Sequence, residues 1–455
     1  MSRSSTIPDQ VELPLLGTTS SSAPLRPRHR RPSLVRLLSR IALPALALTF
    51  LSLVYLSSTS STGFGKEQGI DLEEWIHRNR SNVNVFDNLE IQSEDGNMKA
   101  VFFALGASMN ELHVKDRNGN MRDIIVGYRD PHSALNSSSY AYFNSLIGRY
   151  ANRISHSSFT SPLTNETFHL PVNEGESTTL HGGKWGYSRS GWKVEKHQGN
   201  EIVFSLIDKG AEGFPGTVKT FATYTLLSQP SRLRTHLTSQ VLSPLPLITP
   251  ISLSSHVYFN LDGYSSNSGK EVGGGMRVWI DSKRNVEVDE RLIPTGKLLE
   301  VERDGPLNFV KERELKEVVE DERSEGLCGK NCKGLDNALI YSNPERDPKE
   351  KVVMTLSCPS SGIRMNIRTN QPLVHLYSCN SPHFSSTSGS YPFKRTQNDG
   401  REGTYGRSSC LAIEQEGWID GLHHGEEWGL KGEKSQWYDL DRDYKWWTEY
   451  EFENF

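Results

Sequence analysis

From about residue 83 to residue 455 the chain reads as short β-type runs separated by turns, and in several of them apolar and polar positions alternate with a period of two. Ala100 to Leu105, Glu201 to Ile207, Lys219 to Leu226 and Arg232 to Thr238 are examples. Such alternation sends one side of each run into a core and the other towards water, which predicts half-buried β-strands. Asp-Gly, Asn-Gly, Pro-Gly and Gly-Gly steps punctuate the runs and predict tight turns. One stretch, residues 309–324, is dense in Glu, Lys and Arg and reads as a solvated surface helix. No internal repeat of about 20–50 residues stands out. The continuous texture predicts a single all-β domain over residues 83–455, a large antiparallel β-sandwich.

The pattern upstream is different. Residues 1–40 are rich in Ser, Pro and Arg without apolar periodicity, which predicts a disordered basic tail. An apolar run, Ile41 to Leu56, follows, and no charge occurs between Arg40 and Lys66. A membrane-spanning helix needs about 20 residues, so the Ser/Thr/Gly stretch must extend the run; residues 41–62 are the predicted transmembrane signal anchor and 63–82 a linker. Positive charge stays on the cytosolic side. The chain is therefore expected to be a single-pass type II membrane protein, with its β domain lumenal or extracellular, or secreted if the anchor is cleaved as a signal peptide. The acceptor sequons at Asn79, Asn136 and Asn165 fit a glycoprotein in an exported compartment.

The 455 residues include 23% charged and 9% aromatic side chains, enough apolar material to exclude a wholly disordered chain. Formal net charge is −4; residues 1–65 hold seven Arg against Asp9 and Glu12, or +5, which leaves −9 for the rest. That balance excludes a nucleic-acid partner for the folded part. Five cysteines lie in the last third, where Cys328 and Cys332 can close a small loop and at least one thiol must stay unpaired. Their spacing offers no zinc site. The chain has no phosphate-binding glycine loop, no His-Glu-x-x-His and no Gly-x-Ser-x-Gly, so nucleotide-driven chemistry, zincin proteolysis and α/β-hydrolase chemistry have no support.

Four polar clusters can carry chemistry. In Gly148-Arg149-Tyr150-Ala151-Asn152-Arg153-Ile154, an Arg among small and aromatic residues offers a planar donor fork to an oxygen-rich ligand. In Leu180-His181-Gly182-Gly183, glycines let the backbone approach a ligand closely. Alternation in His256-Val257-Tyr258-Phe259-Asn260-Leu261 puts His256, Tyr258 and Asn260 on one face, which suits a cleft that binds hydroxyls. In Leu411-Ala412-Ile413-Glu414-Gln415-Glu416-Gly417-Trp418, partial burial of a carboxyl would raise its proton affinity and make it a usable base. Trp185 and Trp418 can stack on sugar faces, or pack.

In their order, these clusters resemble the aldose 1-epimerase family, also called galactose mutarotases. Three more segments carry the resemblance: Glu212-Gly213-Phe214-Pro215-Gly216, Ile293-Pro294-Thr295-Gly296 and Leu335-Asp336-Asn337. It covers about Asn88 to Phe455 and implies a galactose mutarotase-like supersandwich. It also implies interconversion of the α and β anomers of a free hexose, with a monosaccharide substrate and neither metal nor cofactor. By the same resemblance His256 would be the general acid and Glu414 the general base. Arg149, His181 and Asp336, with Asn152 and Tyr258 beside them, would hold the sugar. A non-catalytic carbohydrate-binding domain and a hexose-6-phosphate epimerase are the alternatives. One departure matters: Glu416 stands two residues after Glu414, where the family segment Leu-Glu-Thr-Gln ends in Gln. On a strand the two carboxyls would share a face, and their repulsion would raise the proton affinity of one.

Overall fold

The alternating runs fold into strands, and among the described residues these form two large antiparallel sheets. A computed structural model describes residues 81–136, 141–265, 272–343, 351–381 and 391–455. The predicted tail, anchor, linker up to residue 80 and acceptor Asn79 lie outside the described residues. Among those described, no helix is long and apolar enough to cross a membrane.

The larger sheet has nine strands, in the order Lys193–Gln198, Glu201–Asp208, Val218–Leu227, Ser231–Val241, Tyr444–Asn454, Ile363–Thr369, Met354–Cys358, Arg277–Ile280 and Arg313–Glu314. Strict alternation of buried and half-buried positions along Val218–Leu227 is the physical counterpart of its sequence pattern. The second sheet has six strands, in the order Val257–Phe259, Leu411–Glu416, Leu373–Tyr377, Asp336–Tyr341, Ser282–Val288 and Pro294–Glu300. The two sheets pack face to face. The rings of Phe259 and Tyr450, one from each sheet, are 5.5 Å apart, and Trp446 Nε1 donates to the Gln415 carbonyl at 2.7 Å. Val257, Leu411 and Ile413 point into this shared core and are fully buried, each burial contributing about 1.5–3 kcal/mol.

Because side chains alternate, the residues between these core positions face outward from the six-stranded sheet. There the sheet is roofed by the loops around residues 141–155 and 174–186. That outer face holds the candidate site.

The expected helix over 309–324 is only partly present. Arg313–Glu314 pair as an edge strand with Arg277–Val278, a helix runs over Leu315–Glu320, and a 3-10 turn follows over Glu322–Ser324. The Asp321 carboxylate accepts the Arg323 amide and starts that new turn, which ends the helix early. Nor is the segment simply solvated, since Leu315, Val318 and Val319 are buried. Cys328 pairs with Cys332 and Cys379 with Cys410; Cys358 is a buried free thiol.

Candidate active site

The centre of the site is built by cross-strand register. His375 on Leu373–Tyr377 lies directly opposite Glu414 on Leu411–Glu416, and Asp336 begins the next strand, opposite Tyr377. His256 sits between the short strands Ser254–Ser255 and Val257–Phe259, the latter paired with Leu411–Ile413. Its Nε2 comes to 3.2 Å from Glu414 Oε1. The two residues are 158 positions apart in the chain, and both are at least 95% buried.

Loops close the cleft from above. Asn152 and His181 both adopt left-handed backbone, with φ of 61° and 53°, and so does Tyr142, at 55°. Strained conformations in non-glycine residues gather where the surrounding structure demands a fixed side-chain placement. The Asn152 amide donates to His181 Nδ1 at 3.2 Å, which makes Nδ1 an acceptor and leaves the ring proton on Nε2. Gly182 explains the glycine beside His181: a Cβ there would lie 2.0 Å from the Gly148 carbonyl oxygen, and its φ is +83°. Asn173 braces the same turn by bonding both the amide and the carbonyl of Leu180, at 2.7 and 3.0 Å. Tyr142 presents its ring edge to His181, with centroids 4.6 Å apart, and lies nearly parallel to His256 at 6.0 Å.

The cleft is about 320 Å³ and is lined by Tyr142, Arg153, His181, His256, Asp336 and Glu414 among others. That is the small end of the range for ligand pockets and suits one small polar molecule. Burial and neighbours set the charges. Burial, then the nearby His256, holds the His181 imidazole well below the usual range and therefore neutral. Burial likewise lowers His256, with His375 adding to it. Glu414 is raised well above the ordinary carboxyl range, first by burial and then by Glu416. Asp336 is different. Burial would raise it, but Arg153 and His375 outweigh burial and keep it ionised.

Of the residues expected to hold substrate, His181, Asp336, Asn152 and Tyr258 all line the cleft. Three of them already have partners, Asp336 through its bond to His375 Nε2. The Tyr258 hydroxyl donates to the Ala141 carbonyl at 2.7 Å, and its ring lies against His256 at 4.8 Å, 14° from parallel. Asn152 donates to Glu416 Oε1 at 3.1 Å. Arg149 is not in the cleft. Its guanidinium is buried beneath the loops, bound to Asp208 and to the carbonyls of Pro215 and Gly216, beside a separate cavity of about 260 Å³. This corrects its expected role: it ties the Gly148–Arg149 turn to the 212–216 turn. Arg153 supplies the cleft's guanidinium, with two 2.8 Å hydrogen bonds to Glu174 and a 3.7 Å approach to Asp336. Asn260 turns away to bond the Ser409 carbonyl at 2.8 Å. Neither tryptophan reaches the site: Trp185 lines the second cavity, and Trp418 packs on Trp428 with centroids 5.2 Å apart. Sequence reasoning missed Arg153, His375, Tyr142 and Glu174.

His181, His256 and Glu414 bring nitrogen and oxygen atoms within 4.8 Å of one another, but those of His256 and Glu414 are already in contact with each other at 3.2 Å. Glu111, His113 and Asp123 form a second such group, but there the buried Lys394 ammonium already stands 2.7 Å from Asp123.

In sequence and fold the chain is similar to known proteins. The profile of the aldose 1-epimerase family matches residues 88–434. The probable aldose 1-epimerase of Arthroderma benhamiae is 36% identical over 364 residues, covering 73% of this chain and 79% of that protein. Mouse galactose mutarotase is 28% identical over 319 residues, covering 70% and 82%. In fold, the chain is similar to the GalM/aldose epimerase homologue from C. elegans, with a TM-score of 0.66 at 23% identity over 81% of this chain and 99% of that one. It is also similar to galactose 1-epimerase from Lactobacillus acidophilus, with a TM-score of 0.61 at 20% identity over the same shares. The profile match and the fungal relative establish that the chain belongs to the aldose 1-epimerase family of isomerases.

Proposed function

We propose that the protein interconverts the α and β anomers of a free hexose, galactose or glucose, with Glu414 as general base and His256 as general acid. One observation carries this reading: two proton-carrying groups, His256 Nε2 and Glu414 Oε1, meet at 3.2 Å inside a cleft of monosaccharide size. Neutral His181 offers an Nε2–H donor and ionised Asp336 an acceptor, a set that fits sugar hydroxyls. Arg153, the cleft's guanidinium, is already engaged by Glu174 and Asp336, which favours an uncharged hexose over a sugar phosphate.

The sugar parts the His256–Glu414 contact and takes up both partners. Glu414 accepts the proton of the anomeric hydroxyl as His256 gives a proton to the ring oxygen. The bond from C1 to that oxygen breaks, and C1 becomes an aldehyde. Rotation about C1–C2 turns the other face of the carbonyl towards the hydroxyl. Closure then runs the transfers backwards: Glu414 returns its proton to the C1 oxygen, and His256 recovers its own. The pair begins and ends with one proton between them. In the empty cleft, burial favours that proton on Glu414, the state that closes the open-chain sugar, and ring opening proceeds from the form with the proton on His256. Each transfer contributes about 10²–10⁴-fold.

Polarimetry of fresh α-galactose and α-glucose tests this. His256→Ala and Glu414→Gln should each lose at least about 10²-fold in turnover while keeping the wild-type circular dichroism. Full activity in either variant would remove the mechanism. The two disulfides further support placing the domain in an oxidising compartment, in line with the type II or secreted topology expected from the basic tail and apolar run.

A further inference from the structure

Glu416 stands beside the reacting pair without taking part in the proton transfers, and any role for it rests on Glu414 being the base. The two glutamates are two residues apart on Leu411–Glu416, so their carboxyls leave the same face of the strand, and each residue is 1% exposed. One Glu416 oxygen accepts from Asn152 at 3.1 Å and lies 3.8 Å from His375 Nδ1; the other has no hydrogen-bond partner. Charge counting is unfavourable. Arg153 already serves Glu174 and Asp336, and the other nitrogen of His375 is bonded to Asp336. Ionising Glu414 and Glu416 as well would set four carboxylates against one guanidinium in a site with little water to screen them.

We propose that Glu416 is a positioning residue for the base, a second buried carboxyl whose own ionisation keeps the working proton on the His256–Glu414 pair into alkaline solution. Burial raises Glu416 to about 7, against the opposing pull of His375, Asn152 and Arg153. Below neutrality it is uncharged and exerts no field. Above neutrality its charge appears next to Glu414, and a negative neighbour raises the proton affinity of the pair. The other groups facing these carboxyls are His256 and His181 on the cleft side, His375 on the adjoining strand, Asp336 on the strand beyond it, Arg153 above, and the Tyr258 phenol, which burial keeps protonated. Tyr150 and Tyr444 also feel Glu416, but burial keeps both phenols protonated, so they add no charge.

Glu416→Gln keeps the shape and the acceptor for Asn152 and removes the charge. The profile of kcat/KM against pH, read by polarimetry, should keep its acidic limb and lose about one pH unit from its alkaline limb, an approximately tenfold slower rate there. A purely structural role would scale the whole profile without moving one limb. An alkaline limb that stays in place, or moves upward, overturns the proposal. Infrared titration of the unliganded protein gives a reading independent of turnover. Wild type should show protonated-carboxyl bands from both glutamates just below neutral pH, one of them absent in Glu416→Gln, and wild type lacking such bands also overturns it. If Glu414→Gln is inactive and the Glu416→Gln limb is unmoved, only this inference fails. If wild type never accelerates mutarotation, the function fails and the infrared titration alone decides on the carboxyl pair.

Discussion

Replacing Arg149 by methionine removes a buried cation that makes five hydrogen bonds. Nε donates to Asp208 Oδ2 at 2.7 Å, Nη1 to the Pro215 carbonyl at 2.7 Å and Thr249 Oγ1 at 3.1 Å, and Nη2 to the carbonyls of Asp208 at 3.2 Å and Gly216 at 3.1 Å. The Arg149 side chain has no solvent contact, whereas that of Asp208 keeps 16%. Methionine fills much of the volume and satisfies none of the acceptors. The Asp208 carboxylate can rehydrate, but the carbonyls behind it are left short of donors. Removing one partner from a buried ionic network costs about 3–5 kcal/mol, and a stranded buried acceptor about 1–3 kcal/mol. These terms overlap, so the expected loss is about 4 kcal/mol. Equilibrium urea unfolding followed by tryptophan fluorescence should show a lower midpoint at unchanged slope. Polarimetry under strongly native conditions should show turnover largely retained, because this guanidinium does not reach the cleft. A loss of stability below about 1 kcal/mol, coupled with lost turnover, would refute the assignment and return Arg149 to the substrate.

Arg153→Met should do the reverse. Loss of a charged hydrogen-bonding group from the cleft should raise KM for the sugar at least about tenfold, with a smaller fall in the urea midpoint than Arg149→Met; unchanged KM would remove Arg153 from substrate binding. Gly182→Ala places a Cβ on the Gly148 carbonyl in a backbone conformation that disfavours it, so the variant should lose more than about 1 kcal/mol in thermal unfolding and lose activity through misplacement of His181. A fully active, fully stable variant would contradict the packing described for that turn.

Much of the sandwich was legible because period-two alternation reports burial on one face directly. Val218–Leu227 and Ser231–Val241 are read almost whole from that signal. His256 and Glu414 were legible as polar side chains beside the buried apolar Val257 and Ile413, which face the opposite side. The exchange of Arg149 for Arg153 has a local cause. Simple alternation puts the two arginines on one face, but Asn152 turns left-handed at φ 61°, and the regular period ends there. No composition rule reports that reversal. His375 carried a signal that could have found it: His375-Leu376-Tyr377 repeats the His-x-Tyr spacing of His256 and Tyr258, and Leu373 to Leu376 are otherwise apolar. Its placement opposite Glu414 is a matter of register between distant segments, which one strand's sequence does not encode. The helix near residue 315 is shorter than expected because charge density reports exposure rather than helix, and Asp321 redirects the backbone.

The strand Tyr444–Asn454 lies in the interior of the nine-stranded sheet, bonded to Ser231–Val241 on one side and Ile363–Thr369 on the other. During synthesis both neighbours leave the ribosome long before it does. Until it arrives, each presents a bare row of amides and carbonyls, the kind of edge that recruits a strand from another molecule. Nascent chains of this protein should therefore depend on holding chaperones until this strand has emerged, and a lesion within Tyr444–Asn454 should cause aggregation rather than a milder loss of turnover.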